Sequence, residues 1–311
     1  MNNTPLDYPA ALALGYLPIR EVARSTGVNP VTLRAWERRY GLVVPYRTAK
    51  GHRLYAPEQV ERIRQVLTWL NRGVAVGQVR ELLEQNAPVA AAPSGIWNEL
   101  RQAMLLAVTR QAERSLDEAF NRAQALYPPH VLCARLLLPL LGELDLRWRD
   151  LPFGARLEQV FLHSWLRSKL GARLHHDNRQ HPGAPLLLVS QSGLPVEPGL
   201  WLSAWLINSA GCAARVLDGA LPAGELVQAV DHIAPRALLL YSSQALDAPL
   251  RHQLPRLIEA CAVPLLLAGP AAIIHHDELH GLAGLHLATD PLHVEQRLRE
   301  LELLENEPCA N

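Results

Sequence analysis

The sequence predicts a multidomain chain: a winged helix-turn-helix head, a four-helix bundle, and a doubly wound α/β domain with a parallel sheet. Three observations carry this. A capped, arginine-bearing helix is followed by a basic two-stranded turn at residues 29–55. Residues 96–174 show nearly unbroken helical periodicity. From residue 185 onward, short apolar runs alternate with helical segments, the pattern of strands crossed by helices in a parallel sheet.

Residues 1–16 read as a flexible leader. The segment from Pro18 to Gly27 reads as a short helix with Ile19, Val22 and Ala23 on one face. Ser25-Thr26-Gly27-Val28 makes the turn that follows. Asn29-Pro30 then starts a second helix, because Asn caps free N–H groups and Pro suits the first helical position. Leu33 and Trp36 share its inward face, while Arg34, Arg38 and Arg39 lie around the rest. Gly41 ends it in a left-handed cap. Val43, Val44 and Tyr46 suggest one wing strand, Leu54 and Tyr55 the other, with Ala49-Lys50-Gly51 as the turn. Helix, glycine turn and arginine-bearing helix together make a helix-turn-helix. Val60, Ile63, Leu67 and Leu70 give the next helix its buried face, and Val79, Leu82 and Leu83 the one after. The head therefore spans 17–86.

Residues 87–95 are a linker by composition. In the bundle, 96–174, Leu132, Leu136, Leu140 and Leu144 form an i+4 ladder. Residues 175–184 read as a second linker, 185–305 as the α/β domain and 306–311 as a tail. Strand runs fall at 186–189, 214–217, 237–241, 263–268 and 285–288.

Composition narrows the function. The chain is neutral, with 30 basic and 30 acidic residues, but residues 1–85 carry 12 Lys+Arg against 7 Asp+Glu. A basic head on an acidic body is the asymmetry of a DNA-binding module joined to something else. The four cysteines form no CxxC pair, so neither a zinc site nor a disulfide framework is expected. No apolar run reaches the roughly 20 residues of a membrane helix, and no signal segment is read, so a cytoplasmic protein without membrane contact is expected. No GxGxxG follows the first strand and no GxSxG elbow occurs. The reading is therefore not an enzyme, with no catalytic residue and no metal site. His175, His176, Asp177 and His181 are read as solvated linker, and His275, His276 and His280 as a surface helix. Ser190, Ser192, Ser242 and Ser243 are read as helix caps, with hydrogen bonds to a ligand as the alternative. Trp36 is read as core and Glu37 as a surface ion-pair partner.

The stretches IREVARSTGV, TLRAWERRYGL and GHRLY resemble the MerR family of bacterial transcription regulators. The form of the motif is similar to the subgroup that carries a helical bundle and a cobalamin-binding-type, Rossmann-like (flavodoxin-like) domain behind the head. The resemblance implies a homodimer or higher homo-oligomer on palindromic double-stranded promoter DNA, with RNA polymerase as a partner. Linker 87–95 stands where many members have a dimerising coiled coil, so assembly is expected through the C-terminal domains. Carried onto this chain, the DNA contacts are Thr32, Arg34, Arg38 and Arg39 from the helix, and Arg47, Lys50, His52 and Arg53 from the wing. Subgroup members control biofilm or extracellular-matrix genes, or respond to light through cobalamin. Cobalamin-binding members place Asp/Glu-x-His-x-x-Gly after the first strand, with His as cobalt ligand. Here Gly199 matches, but Val196 takes the histidine position and Leu194 the acidic one. In the bundle, Trp148 and Glu158 keep the spacing of the light-responsive members, but Gln159 replaces their histidine. No cofactor is therefore expected, and a cobalamin- or other small-ligand-responsive regulator is the alternative. An enzymatic methyl carrier is set aside by the DNA-binding head and the missing histidine.

Overall fold

The computed structural model describes residues 8–48, 50–71, 73–85, 95–150 and 153–304. The chain divides into two compact units, with the division after residue 152.

The first unit opens with α1 (Tyr8–Ala13) and β1 (Leu17–Pro18). The leader expected over 1–16 is thus helical from Tyr8, because Ala11 is fully buried and ties the segment down; residues 1–7 lie outside the described residues. The helix-turn-helix follows as α2 (Ile19–Thr26) and α3 (Pro30–Ala35), the latter continued by a π-helical turn over Trp36–Tyr40. The wing is β2 (Tyr46–Arg47) and β3 (Arg53–Tyr55). With β1 they make a three-stranded antiparallel sheet in the order β1-β3-β2. The first wing strand starts later than Val43. Val43 is fully buried, and the Val44 N–H donates to Gln59 Oε1 at 2.8 Å instead of to a strand partner.

α4 (Pro57–Asn71) and α5 (Val76–Gln85) close the head. α4 buries Val60, Ile63, Val66 and Leu70; Val66 takes the fully buried place expected for Leu67, which is half-buried. Linker residues 87–94 lie outside the described residues, and Gly95 already begins α6 (Gly95–Thr109). Then come α7 (Glu113–Gln124), α8 (Pro129–Leu132), a π-helical turn over Cys133–Leu137, and α9 (Leu138–Trp148). The π turn has a local cause. Pro139 has no N–H to give and its ring would strike the preceding turn, so the helix widens ahead of it. The Leu132, Leu136, Leu140 and Leu144 ladder is buried throughout.

The second unit begins with α10 (Ala155–Asn178). By its periodicity this helix belongs to the bundle, with a linker expected from 175. The helix instead runs four residues past 174, through Asn178, whose side chain is fixed at long range. Asn178 Nδ2 donates to Ala214 O at 2.8 Å, and its Oδ1 accepts from Ala214 N and Asn208 Nδ2. Next follow β4 (Leu186–Ser190), α11 (Pro198–Ser209), β5 (Ala214–Leu217), α12 (Ala223–Ile233), β6 (Ala237–Tyr241) and α13 (Ala248–Ala260). The unit continues with β7 (Leu265–Ala268), α14 (Pro270–Ile274), α15 (His276–Leu279), β8 (Leu285–Ala288) and α16 (Pro291–Glu300). The five strands are all parallel, in the order β5-β4-β6-β7-β8. One face of the sheet packs residues of α10, α11 and α16, among them Leu174, Leu200 and Val294. The other packs α12 and α13 through Leu226, Leu254 and Leu257. Because both faces are covered, the central strands read as unbroken apolar runs rather than alternating ones.

Candidate nucleic-acid interface

Helix α3 is built as its sequence dictates. Asn29 Oδ1 accepts the Thr32 N–H at 2.9 Å, Pro30 occupies the first helical position, and Gly41 closes the end at φ 58°. The two sides of the helix then diverge. Thr32, Leu33 and Trp36 are fully buried. Trp36 Nε1 donates to Leu126 O at 2.9 Å, and the Thr32 hydroxyl to Gln124 O at 3.4 Å, both at the corner after α7. Tyr127 at the same corner accepts the Val76 N–H through its Oη, and Trp97 of α6 donates from Nε1 to Gly73 O at 3.2 Å. On the opposite side Val31, Arg34 and Arg38 are exposed at i, i+3 and i+7, with Arg39 exposed beside them.

Thr32 is therefore corrected. It sits on the helix face turned to the bundle, and its hydroxyl is spent on a carbonyl. Val31, 58% exposed, takes its place as a candidate contact. Its helical spacing to Arg34 and Arg38 was visible in the sequence, but an isolated valine beside a hydrophobic stripe reads as core. An exposed apolar side chain on the same helix face as two arginines can meet a thymine methyl, while arginine can pair with guanine in the major groove.

The wing arginines are held by one carboxylate. Arg47 Nη2 and Arg53 Nε each lie 2.6 Å from Glu37, one on each oxygen. Burial alone would raise the Glu37 carboxyl, but hydrogen bonds from Arg53 and Arg47 outweigh it and hold the group below the usual glutamate range. The Arg53 side chain is only 13% exposed, Arg47 50%. Arg53 is thus corrected from phosphate contact to strut: it fastens β3 to the reading helix. Lys50 and His52 are exposed at the wing tip, and Gly51 makes the turn at φ 80°. His52 also meets the Tyr8 ring of α1 edge-on, with centroids 6.4 Å apart. Beneath the wing, burial pushes the Tyr55 phenol up to about 12, with Glu37 adding to the shift.

Most residues of the degenerate corrin motif lie in the second unit. Val196 and Glu197 are buried ahead of α11. Glu197 Oε1 accepts both the N–H and the hydroxyl of Ser243 at 2.8 Å. Gln244 Oε1 accepts the Gly193 N–H at 3.1 Å. The Ser242 hydroxyl donates to Gln244 O at 2.7 Å. Glu158 is buried in α10 and Gln159 accepts from Arg156 at 2.8 Å. Trp148 is buried in the first unit. His175 and His176 are exposed on the last turn of α10, and His276 and His280 stack 5.3 Å apart on the surface. His275 is buried, its Nε2 accepting the Leu246 N–H.

Residues 17–86 match the model of the MerR HTH family regulatory protein. The HTH-type transcriptional regulator MlrA of Salmonella typhimurium is 30% identical over 203 residues, 65% of this chain and 80% of that protein. The chain belongs to the MerR family. The HTH-type transcriptional repressor CarH of Myxococcus xanthus is 27% identical over 288 residues, 85% of this chain and 92% of that protein. Among solved structures, the methanol:cobalamin methyltransferase complex MtaBC from Methanosarcina barkeri matches at TM-score 0.33 and 14% identity, covering 71% of this chain and 88% of that one.

As a MerR-type regulator the protein binds DNA through its head. No described helix is long and apolar enough to cross a membrane.

Proposed function

We propose that this MerR-type regulator reads palindromic promoter DNA through Val31, Arg34 and Arg38, with Arg39, Arg47, Lys50 and His52 on the flanking phosphates, and that it does so without cobalamin. The observation that carries the DNA half is the exposed face Val31–Arg34–Arg38 on a helix whose back is fixed to the protein's own bundle. A rigid helix with its arginines free presents a fixed constellation to base edges, and the exposed cations of the wing tip suit phosphate. Two copies on a palindrome require a homodimer or higher assembly, which we assign to the C-terminal domains, and RNA polymerase is the partner that reads the outcome. Likeness to MlrA extends the proposal to biofilm or extracellular-matrix genes, which transcript profiling of a deletion strain tests.

The cofactor-free half rests on chemistry in the second unit. Val196 offers cobalt no lone pair, and Tyr241 fills the space beside Gly199, the one position of the motif that matches. These residues do not fit a corrin held by a protein ligand. The sheet order and the likeness to CarH favour the ligand-responsive alternative. Corrin colour retained by the purified protein after desalting would establish that alternative.

Binding to the promoter of its own operon, measured by fluorescence anisotropy across a salt series, tests the DNA half. Arg34→Ala is expected to cost about 1–3 kcal/mol on the cognate site and relax one base position. Lys50→Ala is expected to weaken all sequences alike and lower the salt slope by roughly one unit. Affinity and slope untouched by both changes would refute the assignment.

A further inference from the structure

Open parallel sheets take their ligands in the crevice outside the carboxyl ends of the strands, at the point where strand order reverses. Here that point lies between β4 and β6, the first and third strands of the second unit. Tyr241 is the last residue of β6 and lies opposite Ser190, the last residue of β4. Its side chain is 5% exposed and belongs to the core on the α11 and α16 face.

Two glycines flank it. A Cβ built at Gly199, in the first turn of α11, would overlap the Tyr241 hydroxyl and ring. A Cβ built at Gly269, in the turn after β7, would come to 2.9 Å from two ring carbons. The phenol therefore lies against bare backbone on both sides. Above it the loops are laced: Glu197 to Ser243 joins the β4–α11 loop to the β6–α13 loop, and Gly193 to Gln244 joins them again.

We propose that Tyr241 is the built-in occupant of the switch-point crevice: its ring takes the position that such sheets reserve for a ligand. The domain then keeps its filled arrangement permanently, and removing the ring creates a site for a free aromatic of the same size. This deepens the cofactor-free half of the proposed function and is independent of which residues touch DNA. Gly199 follows from it, whereas Gly269 is also required by its own backbone, at φ 86° with Ser242 O 2.8 Å from a built Cβ. Gly199 stands in a helix, where alanine is ordinarily the better residue; the phenol is what excludes the methyl group.

The test uses the full-length protein and thermal melting. Tyr241→Ala should melt lower than the parent. Phenol should restore a few degrees saturably, with no such rise in the parent. Gly199→Ala should lower the melting temperature in the parent and raise it in the Tyr241→Ala background. A folded Tyr241→Ala variant indifferent to phenol, or a Gly199→Ala effect of the same sign in both backgrounds, overturns the proposal. Should Tyr241→Ala fail to fold with or without phenol, Tyr241→Phe decides. The Gly199→Ala penalty must shrink once the hydroxyl is gone, and an undiminished penalty overturns the proposal. The parent mixed with adenosylcobalamin and desalted in the dark should emerge colourless; retained corrin absorbance is also fatal. Promoter binding by the same parent sample decides the regulator reading separately.

Discussion

Glu37 has two arginines to satisfy and one carboxylate with which to do it. Each oxygen takes one guanidinium, and both contacts are 2.6 Å. Burial works to raise its pKa, the hydrogen bonds of Arg53 and Arg47 work to lower it, and the lowering prevails. A carboxyl lowered in the folded state stabilises fully above its unfolded pKa, and loses that contribution as pH falls through the lowered folded value. Glu37→Gln should therefore cost about 1–2 kcal/mol at neutral pH, the range for hydrogen bonds to a charged group trimmed for partial solvation. The gap between parent and variant should close as pH drops below the ordinary glutamate range. Urea melts of both proteins at neutral and acid pH check this. A gap that is independent of pH would show that the carboxylate charge is not what holds the wing.

At the scale of the element, the reading helix is pinned from behind. Trp36 donates to a carbonyl at the α7 corner. Trp36→Phe removes the donor and leaves that acceptor without it, for about 1–3 kcal/mol. Stability measured by urea melts should fall by this much, while the contacts of Arg34 and Arg38 remain available to DNA. The helix itself was legible from Asn29, Pro30 and Gly41, because caps and breakers act locally. The strands of the parallel sheet were legible too, the three central ones most directly, since burial on both faces writes a run such as ALLLY into the chain. What was not legible depended on distant partners. Thr32 looks like a polar helix-surface residue until Gln124 is placed beside it. Asn178 extends α10 through contacts with Ala214 and Asn208. Arg53 reads as one more wing cation until Glu37 claims it. Tyr241 looked like the end of a strand, and nothing nearby in sequence announces Gly269.

For the whole molecule, two units with separate cores leave no cysteine in reach of solvent among the described residues. Cys133, Cys212 and Cys261 are all buried. Burial pushes the Cys212 thiol up despite the Arg236 guanidinium beside it, and likewise raises Cys261, where the Asp231 charge adds to the effect. Thiols react as thiolates, so all three should resist maleimide in the native protein and label fully in urea. Mass mapping of labelled peptides separates them from Cys309, which lies outside the described residues. Rapid labelling of Cys212 in the native state would mean that the edge of the sheet opens readily.

The divided character of the reading helix has an evolutionary consequence. Thr32, Leu33 and Trp36 answer to the protein's interior, whereas Val31, Arg34 and Arg38 answer to whatever lies outside. On the proposed assignment, selection on stability and selection on sequence preference act on different residues of one short segment. Descendants of this chain can acquire new operators by changing the outer set one position at a time, with the inner set, and the fold it anchors, passed on intact.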